Sequence, residues 1–361
     1  MIALLRDFLA VRFRCVESHR PYRIPAPDGH LGVRPKMSTT VARMTGNKDG
    51  AAAAGSTIPP QLPIPAWPKK TWSLARLWSI FWRGLTHLGT HREVLRLLLK
   101  FPPLKEVVFN NPGFAVKYLT PAYLAHGFSV DERASCFLHH YRRLHEVLPE
   151  SLLRLTLKED LAIHEMPEGV NRFAVTMGLS RPYDEEGELS LHLRVNDEIV
   201  FVLSFTIVPG SVVQSQAAEI LLITRLQGVK GCYSQISLAT RTLHDVSPAA
   251  LLFAALQGIA VAFGIDEIAG IPAIRQSCYT RECAASFKEA YDDFFAELGM
   301  SKGATDFFHS TVPIQGKPLT SIKQGHKLRT KEKRAFKQEI RAACACFFLK
   351  SAPAASHKLE I

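Results

Sequence analysis

The spacing of apolar residues along this chain changes period twice. Between 74 and 88 it is helical: Leu74, Leu77, Trp78, Phe81, Trp82, Leu85 and Leu88 form one stripe, with Arg76 and Arg83 on the other face. The stripe predicts a helix docked on the body of the protein. The competing reading is a helix lying in a membrane interface, where Trp and Arg suit the headgroup layer. A second helix is expected at 91–100, stopped by Pro102 and Pro103. A third is expected at 131–148, where Ala134, Phe137, Leu138, Tyr141, Leu144 and Leu148 share a face. Ser129 followed by Glu132 has the spacing of a capping box, and Pro149 ends the segment.

From about Asn171 the period falls to two. Segments 172–179, 188–195 and 199–208 alternate or run apolar and are rich in β-branched and aromatic residues, which predicts strands. Asn196-Asp197 between the last two predicts a tight hairpin. Segment 219–226 reads as a further strand. Helices are expected at 234–243 and 248–263, the second opened by Ser247-Pro248. A short buried strand (266–271), a helix (282–298), a strand (305–313) and a basic helix (323–348) complete the order. Helices, then an antiparallel meander, then strand–helix–strand–helix–strand imply an α+β domain whose mostly antiparallel sheet contains one parallel crossover. The folded unit is expected over 67–341, with a helical subregion at 67–160 and a sheet-bearing one at 161–341. Residues 1–66 read as a disordered or mis-assigned leader, and 342–361 as a tail.

Composition changes this picture in one respect. The net charge of +11 suggests nucleic acid until it is divided: residues 1–66 carry +5 and 317–341 carry +7, while 67–316 carry −2. The basicity belongs to the ends, so nucleic acid is not the expected partner. The run 323–341 lacks interleaved aromatics apart from Phe336. Seven cysteines, an odd number with no C-x-x-C, point to free thiols in a reducing compartment. The first fourteen residues are interrupted by Arg6 and Asp7 and do not read as an export signal. The longest apolar run, 249–265, carries Gln257, Gly258 and Gly264, and is expected to be a buried helix, not a transmembrane one. These features together predict a cytoplasmic protein, peripheral to the inner membrane if the Trp stripe faces lipid.

Several blocks carry a resemblance. KYLTPAYLAHGFSVDERASCFLHHYRRLHEVLPESLLR (117–154), ELSLHLRVNDEIVFVLSFTI (188–207), RLQG (225–228), ATRTLHDVSPAALLFAALQGIAVAFGI (239–265), YDDFFAELG (291–299) and DFFHSTVP (306–313) resemble, in order and spacing, the VirK/YbjX family. The likeness covers roughly 90–340. It implies a bacterial protein linked to virulence, envelope properties and resistance to cationic antimicrobial peptides, acting on or near an envelope component. It implies no established reaction.

Candidate chemistry concentrates at 219–231 (EILLITRLQGVKG). A strand, a glycine-bearing turn and a helix start can present backbone N–H groups to an anion. In GNAT acyltransferases such a turn, with the pattern Q/R-x-x-G-x-G/A, cradles the pyrophosphate of acyl-CoA. Arg225, Gln227, Gly228, Lys230 and Gly231 resemble it, except that Lys230 stands where Gly or Ala belongs and Gly231 comes one residue late. The element order that follows is also similar to GNAT. The plain alternative is a tight turn using glycine for its backbone freedom. Arg275, Ser277, Tyr279 and Arg281 follow the 266–271 strand, where loops line ligand clefts, and are candidates for substrate binding. His139, His140 and Tyr291 are candidate acid–base groups, weighed against structural histidines and a packed YDDFF face. No metal site is expected: His87 and His91 are four apart but lack a third ligand. Two functions follow: an acyl-CoA-dependent acyltransferase with a small-molecule or envelope acceptor, or a non-enzymatic adaptor on an anionic membrane using the Trp helix and the basic C-terminal run.

Overall fold

The computed structural model describes residues 74–181, 185–302, 306–314, 320 and 324–351. The expected leader, Trp67, Trp72 and the end of the C-terminal tail lie outside them. Helices come first: α1 (Leu74–Thr86), α2 (Leu88–Lys100), α3 (Pro102–Asn110), a 3-10 segment (Pro112–Leu119), α4 (Val130–Val147) and α5 (Glu150–Lys158). α4 starts where its sequence predicts. Ser129 accepts the Glu132 N–H and Glu132 accepts the Ser129 N–H, so two orphan donors are satisfied reciprocally.

The strands are β1 (Leu161–Glu168), β2 (Asn171–Leu179), β3 (Leu189–Val195), β4 (Glu198–Pro209) and β5 (Glu219–Gly228). They are followed by α6 (Tyr233–Thr242), α7 (Pro248–Phe263) and β6 (Glu267–Gly270). Asn196 and Asp197 turn β3 into β4 with both φ angles positive, as a tight hairpin requires. The segment expected as one helix at 282–298 is assembled from α8 (Ala284–Phe287), a π-helical stretch (Lys288–Asp293) and α9 (Phe294–Glu297). Then come β7 (Ser301–Lys302), β8 (Phe308–Thr311) and α10 (Lys327–Ser351).

The eight strands form one sheet in the order β1-β2-β3-β4-β5-β6-β8-β7. Every neighbouring pair is antiparallel except β5 with β6. All seven positions of β3 are buried, so both faces of the sheet are covered. One face is polar: Glu188, Ser190, His192 and Arg194 alternate along it. It lies under α4 and α5, because Glu188 accepts from Tyr141 on α4, and His192 and Arg194 meet Asp160 just after α5. The Leu189, Leu191, Leu193 face belongs to α7, which packs on β3, β4 and β5. α10 lies along α7, burying Ile340, Cys344 and Phe348, and so runs past the boundary expected at 341. The helices meet closely at Gly258, where a Cβ would sit 2.3 Å from the Arg341 carbonyl oxygen.

One expectation is overturned. The apolar stripe of α1 does not dock: Trp78, Phe81, Trp82 and Leu85 are 62, 43, 50 and 41% exposed. The helix attaches through its opposite side. Ile80 is buried, Gly84 faces Leu119, and Arg83 donates to the Leu119 carbonyl at 2.8 Å. Among the described residues no helix is long and apolar enough to cross a membrane.

Candidate functional site at the parting of two parallel strands

β5 and β6 run side by side only over Leu221–Ile223 and Ile268–Gly270, closed by the Ile271 N–H on the Ile223 carbonyl at 3.2 Å. β5 then continues to Gly228 while β6 turns away. Opposite β4, β5 carries an extra residue, Thr224, since Ser204 pairs with Arg225 and Phe205 with Ile223. Such bulges re-aim side chains beside functional sites. Past it, the Leu226 N–H points to where β6 would have been and is accepted by the Tyr291 hydroxyl at 3.3 Å. Tyr291 reaches there from the π-helical stretch, a local widening frequent at functional sites. Burial, first of all, raises its pKa, so the phenol stays protonated.

Glu186 enters from the turn before β3. That turn is held down by the Thr224 hydroxyl on the Glu186 carbonyl, 2.6 Å, and the Leu124 N–H on the Glu185 carbonyl, 2.8 Å. Position 187 has φ +142° and a Cβ there would lie 2.6 Å from Thr224 Oγ1, so only glycine lets the turn rest on the bulge. The Glu186 carboxylate faces Arg225 Nε at 3.2 Å, accepts from Ser277 at 3.3 Å and from the Cys278 thiol at 2.9 Å. Burial and the Glu186 charge push the Cys278 pKa up to about 11. It is therefore a thiol at neutral pH and a poor nucleophile.

The structure thus joins two patches that are 50 residues apart in sequence, Arg225 with Gln227 and Ser277, through a carboxylate that no motif marks. Arg225 is buried and also donates to Gln227 Oε1, from Nε at 3.0 Å and Nη2 at 2.9 Å. It therefore sits under the sheet, not at the surface of the turn with Lys230 and Gly231, which are exposed. Gly228 ends β5 against Ile236 of α6, and Gly231 turns the chain with φ +89°. α6 has Cys232 at its N-cap with no side-chain cap, so no side chain there satisfies its first-turn N–H groups. Glu198 meets the same turn, accepting from the Cys232 thiol at 3.5 Å and the Gln235 amide at 3.2 Å.

Other expected residues lie elsewhere. Arg275 packs on the rings of Phe128 and Phe307 and donates to the His126 carbonyl at 3.0 Å, clamping two loops together. Tyr279 stands edge-on to Phe287, and Arg281 is exposed on a 3-10 turn. His139 meets Glu219 at 3.0 Å, at the far end of β5, roughly 20 Å from Arg225 at the usual rise per residue. His140 is fully buried; its Nδ1 accepts the Ile207 N–H at 3.0 Å, and burial lowers its pKa well below the ordinary value. His87 and His91 diverge to Asp131 and Tyr118. No cluster of metal-ligating side chains occurs among the described residues. Two surface hollows, of about 230 and 480 Å³, are lined by charged residues of α2–α5 and do not touch the strand parting.

Glu186 is the functional candidate that sequence reasoning missed, and its only local signal is the Glu-Gly pair at 186–187. The chain matches no curated protein and no solved structure. Residues 69–343 match the model of the family described as Protein of unknown function (DUF535). The chain therefore belongs to that family, which is the one the VirK/YbjX resemblance indicates.

Proposed function

We propose that this protein is an acyl-CoA-dependent acyltransferase whose donor thioester enters where β5 and β6 part. The observation that carries the reading is the Leu226 N–H, which lies past the end of the β6 pairing and is met by a tyrosine hydroxyl in place of a strand. The strand order, antiparallel except for one parallel pair that diverges, supports this reading. In this reading the Leu226 N–H and the Tyr291 hydroxyl receive the thioester carbonyl, and the α6 amino end with Lys230 takes the pyrophosphate. Entry displaces the partly exposed Ser277 and Cys278 side chains from Glu186. That carboxylate then accepts the proton of the attacking amine or hydroxyl as the new acyl bond forms. The C–S bond breaks, and the Tyr291 O–H protonates the departing thiolate. Lys230, in place of the usual small residue, supplies charge where GNAT turns supply backbone. The acceptor class is an amine or hydroxyl of an envelope component or its precursor, in keeping with the family resemblance.

A thermal-shift titration of the full chain with acetyl-CoA and a long-chain acyl-CoA tests the donor site. A ligand at a hundred times its Kd stabilises by about 2.7 kcal/mol, several degrees for a domain of this size. The expected result is a saturable rise that Lys230→Glu reduces relative to its own ligand-free Tm. No rise at millimolar thioester would remove the reading.

A further inference from the structure

We propose that α1 is a docking face for an anionic lipid bilayer, independently of whether the strand parting performs acyl transfer. Amphipathic helices ordinarily bury their apolar side; α1 turns it outward. Trp78, Phe81, Trp82 and Leu85 stand at i, i+3, i+4 and i+7 opposite the Ile80–Arg83–Gly84 attachment. Their rings touch one another, Trp78 to Phe81 at 5.9 Å and Trp78 to Trp82 at 5.7 Å, forming one continuous ridge. Leu88, Arg92 and Arg96 continue the exposed row onto α2 at four-residue spacing, with Leu99 and Lys100 beyond them. A thirteen-residue helix is too short to span a membrane but suits one lying in its interface, where Trp is favoured.

Charge decides between possible occupants. Beside the ridge, Arg92, Arg96 and Lys100 are exposed with one acidic residue, Glu93. A second copy would set this cationic surface against itself. The preceding residues 1–73 hold eleven Lys/Arg and four Asp/Glu, again of the same sign. A bilayer of acidic lipids brings the opposite charge together with an apolar interior, which matches both the ridge and its flank.

The four tryptophans, Trp67, Trp72, Trp78 and Trp82, make intrinsic fluorescence a reporter confined to this region. The full chain is mixed with phosphatidylcholine vesicles, with and without phosphatidylglycerol, and followed by co-sedimentation and emission. Binding to the anionic vesicles, a blue shift and weakening as salt rises are expected. Trp78→Ser with Trp82→Ser, both at exposed positions, should lower affinity by about tenfold or more with circular dichroism unchanged. Arg92→Glu with Arg96→Glu should erase the preference for acidic lipid. The proposal is overturned if the wild type ignores vesicles, or if the Trp pair variant binds as well as wild type. It is equally overturned if the blue shift arises without vesicles on concentration, which would assign the ridge to a second copy.

Discussion

The carboxylate of Glu188 has no exposed surface, yet it receives Lys117 Nζ at 2.6 Å and the hydroxyls of Tyr123 and Tyr141. Lys117 is itself buried, its ammonium 4.4 Å from the centre of the Phe114 ring. Such a pair is costly to bury and more costly to break, since losing one partner strands a charge at about 3–5 kcal/mol. Burial, as the largest cause, raises the Glu188 pKa above its ordinary 4.5 despite Lys117. Lys117→Met removes an opposing influence and raises it further. A carboxyl with a raised folded pKa disfavours the native state increasingly as pH climbs from the unfolded value to the folded one. Lys117→Met should therefore lose about 3–5 kcal/mol at neutral pH and visibly less near pH 4.5, as read from urea unfolding at both. An equal loss at both would show that Glu188 is not the stranded group. Nothing in the local sequence pairs Lys117 with Glu188, or Glu186 with Arg225. Each partnership joins segments that only the sheet brings together, so periodicity cannot reveal it.

Elements were legible where their own pattern was complete. The capping box of α4 and the Asn-Asp hairpin stand where the residues place them, because both are local devices. β1 escaped because His164 and Pro167 interrupt its alternation; as an edge strand that among the described residues pairs only with β2, it tolerates both. The stripe of α1 was legible as a helix face, but periodicity reports a face and not what it meets. α10 shows the converse: a basic, solvent-like composition conceals a seam of Ile340, Cys344 and Phe348 on α7. The closeness of that seam depends on Gly258. Gly258→Ala places a methyl 2.3 Å from a backbone oxygen that cannot rotate away, so α10 must shift. The expected cost is about 1–3 kcal/mol of stability, read as a lowered denaturation midpoint. An unchanged midpoint would mean that α10 does not contribute to the folded unit.

For the whole molecule, the sequence pattern supports one α+β unit with a parallel crossover, and the sheet has that form. The position of the crossover was legible from the helices between 219–226 and 266–271. The divergence of its strands was not, because it follows from a bulge at Thr224 that leaves no mark in hydropathy. The candidate site was therefore half visible: Arg225, Gln227, Ser277 and Tyr291 were legible in the sequence, while Glu186 and the Leu226 N–H needed the fold. Arg275, equally conspicuous by residue type, lies on the Phe307 ring, and His140 accepts the Ile207 N–H. The most direct test of the site is hydrogen–deuterium exchange of the full chain with and without saturating acetyl-CoA, resolved by peptide. The structure predicts protection confined to segments containing 224–236, 185–188 and 272–281, with the Leu226 amide among those slowed. Absence of protection there, or protection only at α1 or α10, would contradict the assignment of the strand parting as the thioester site.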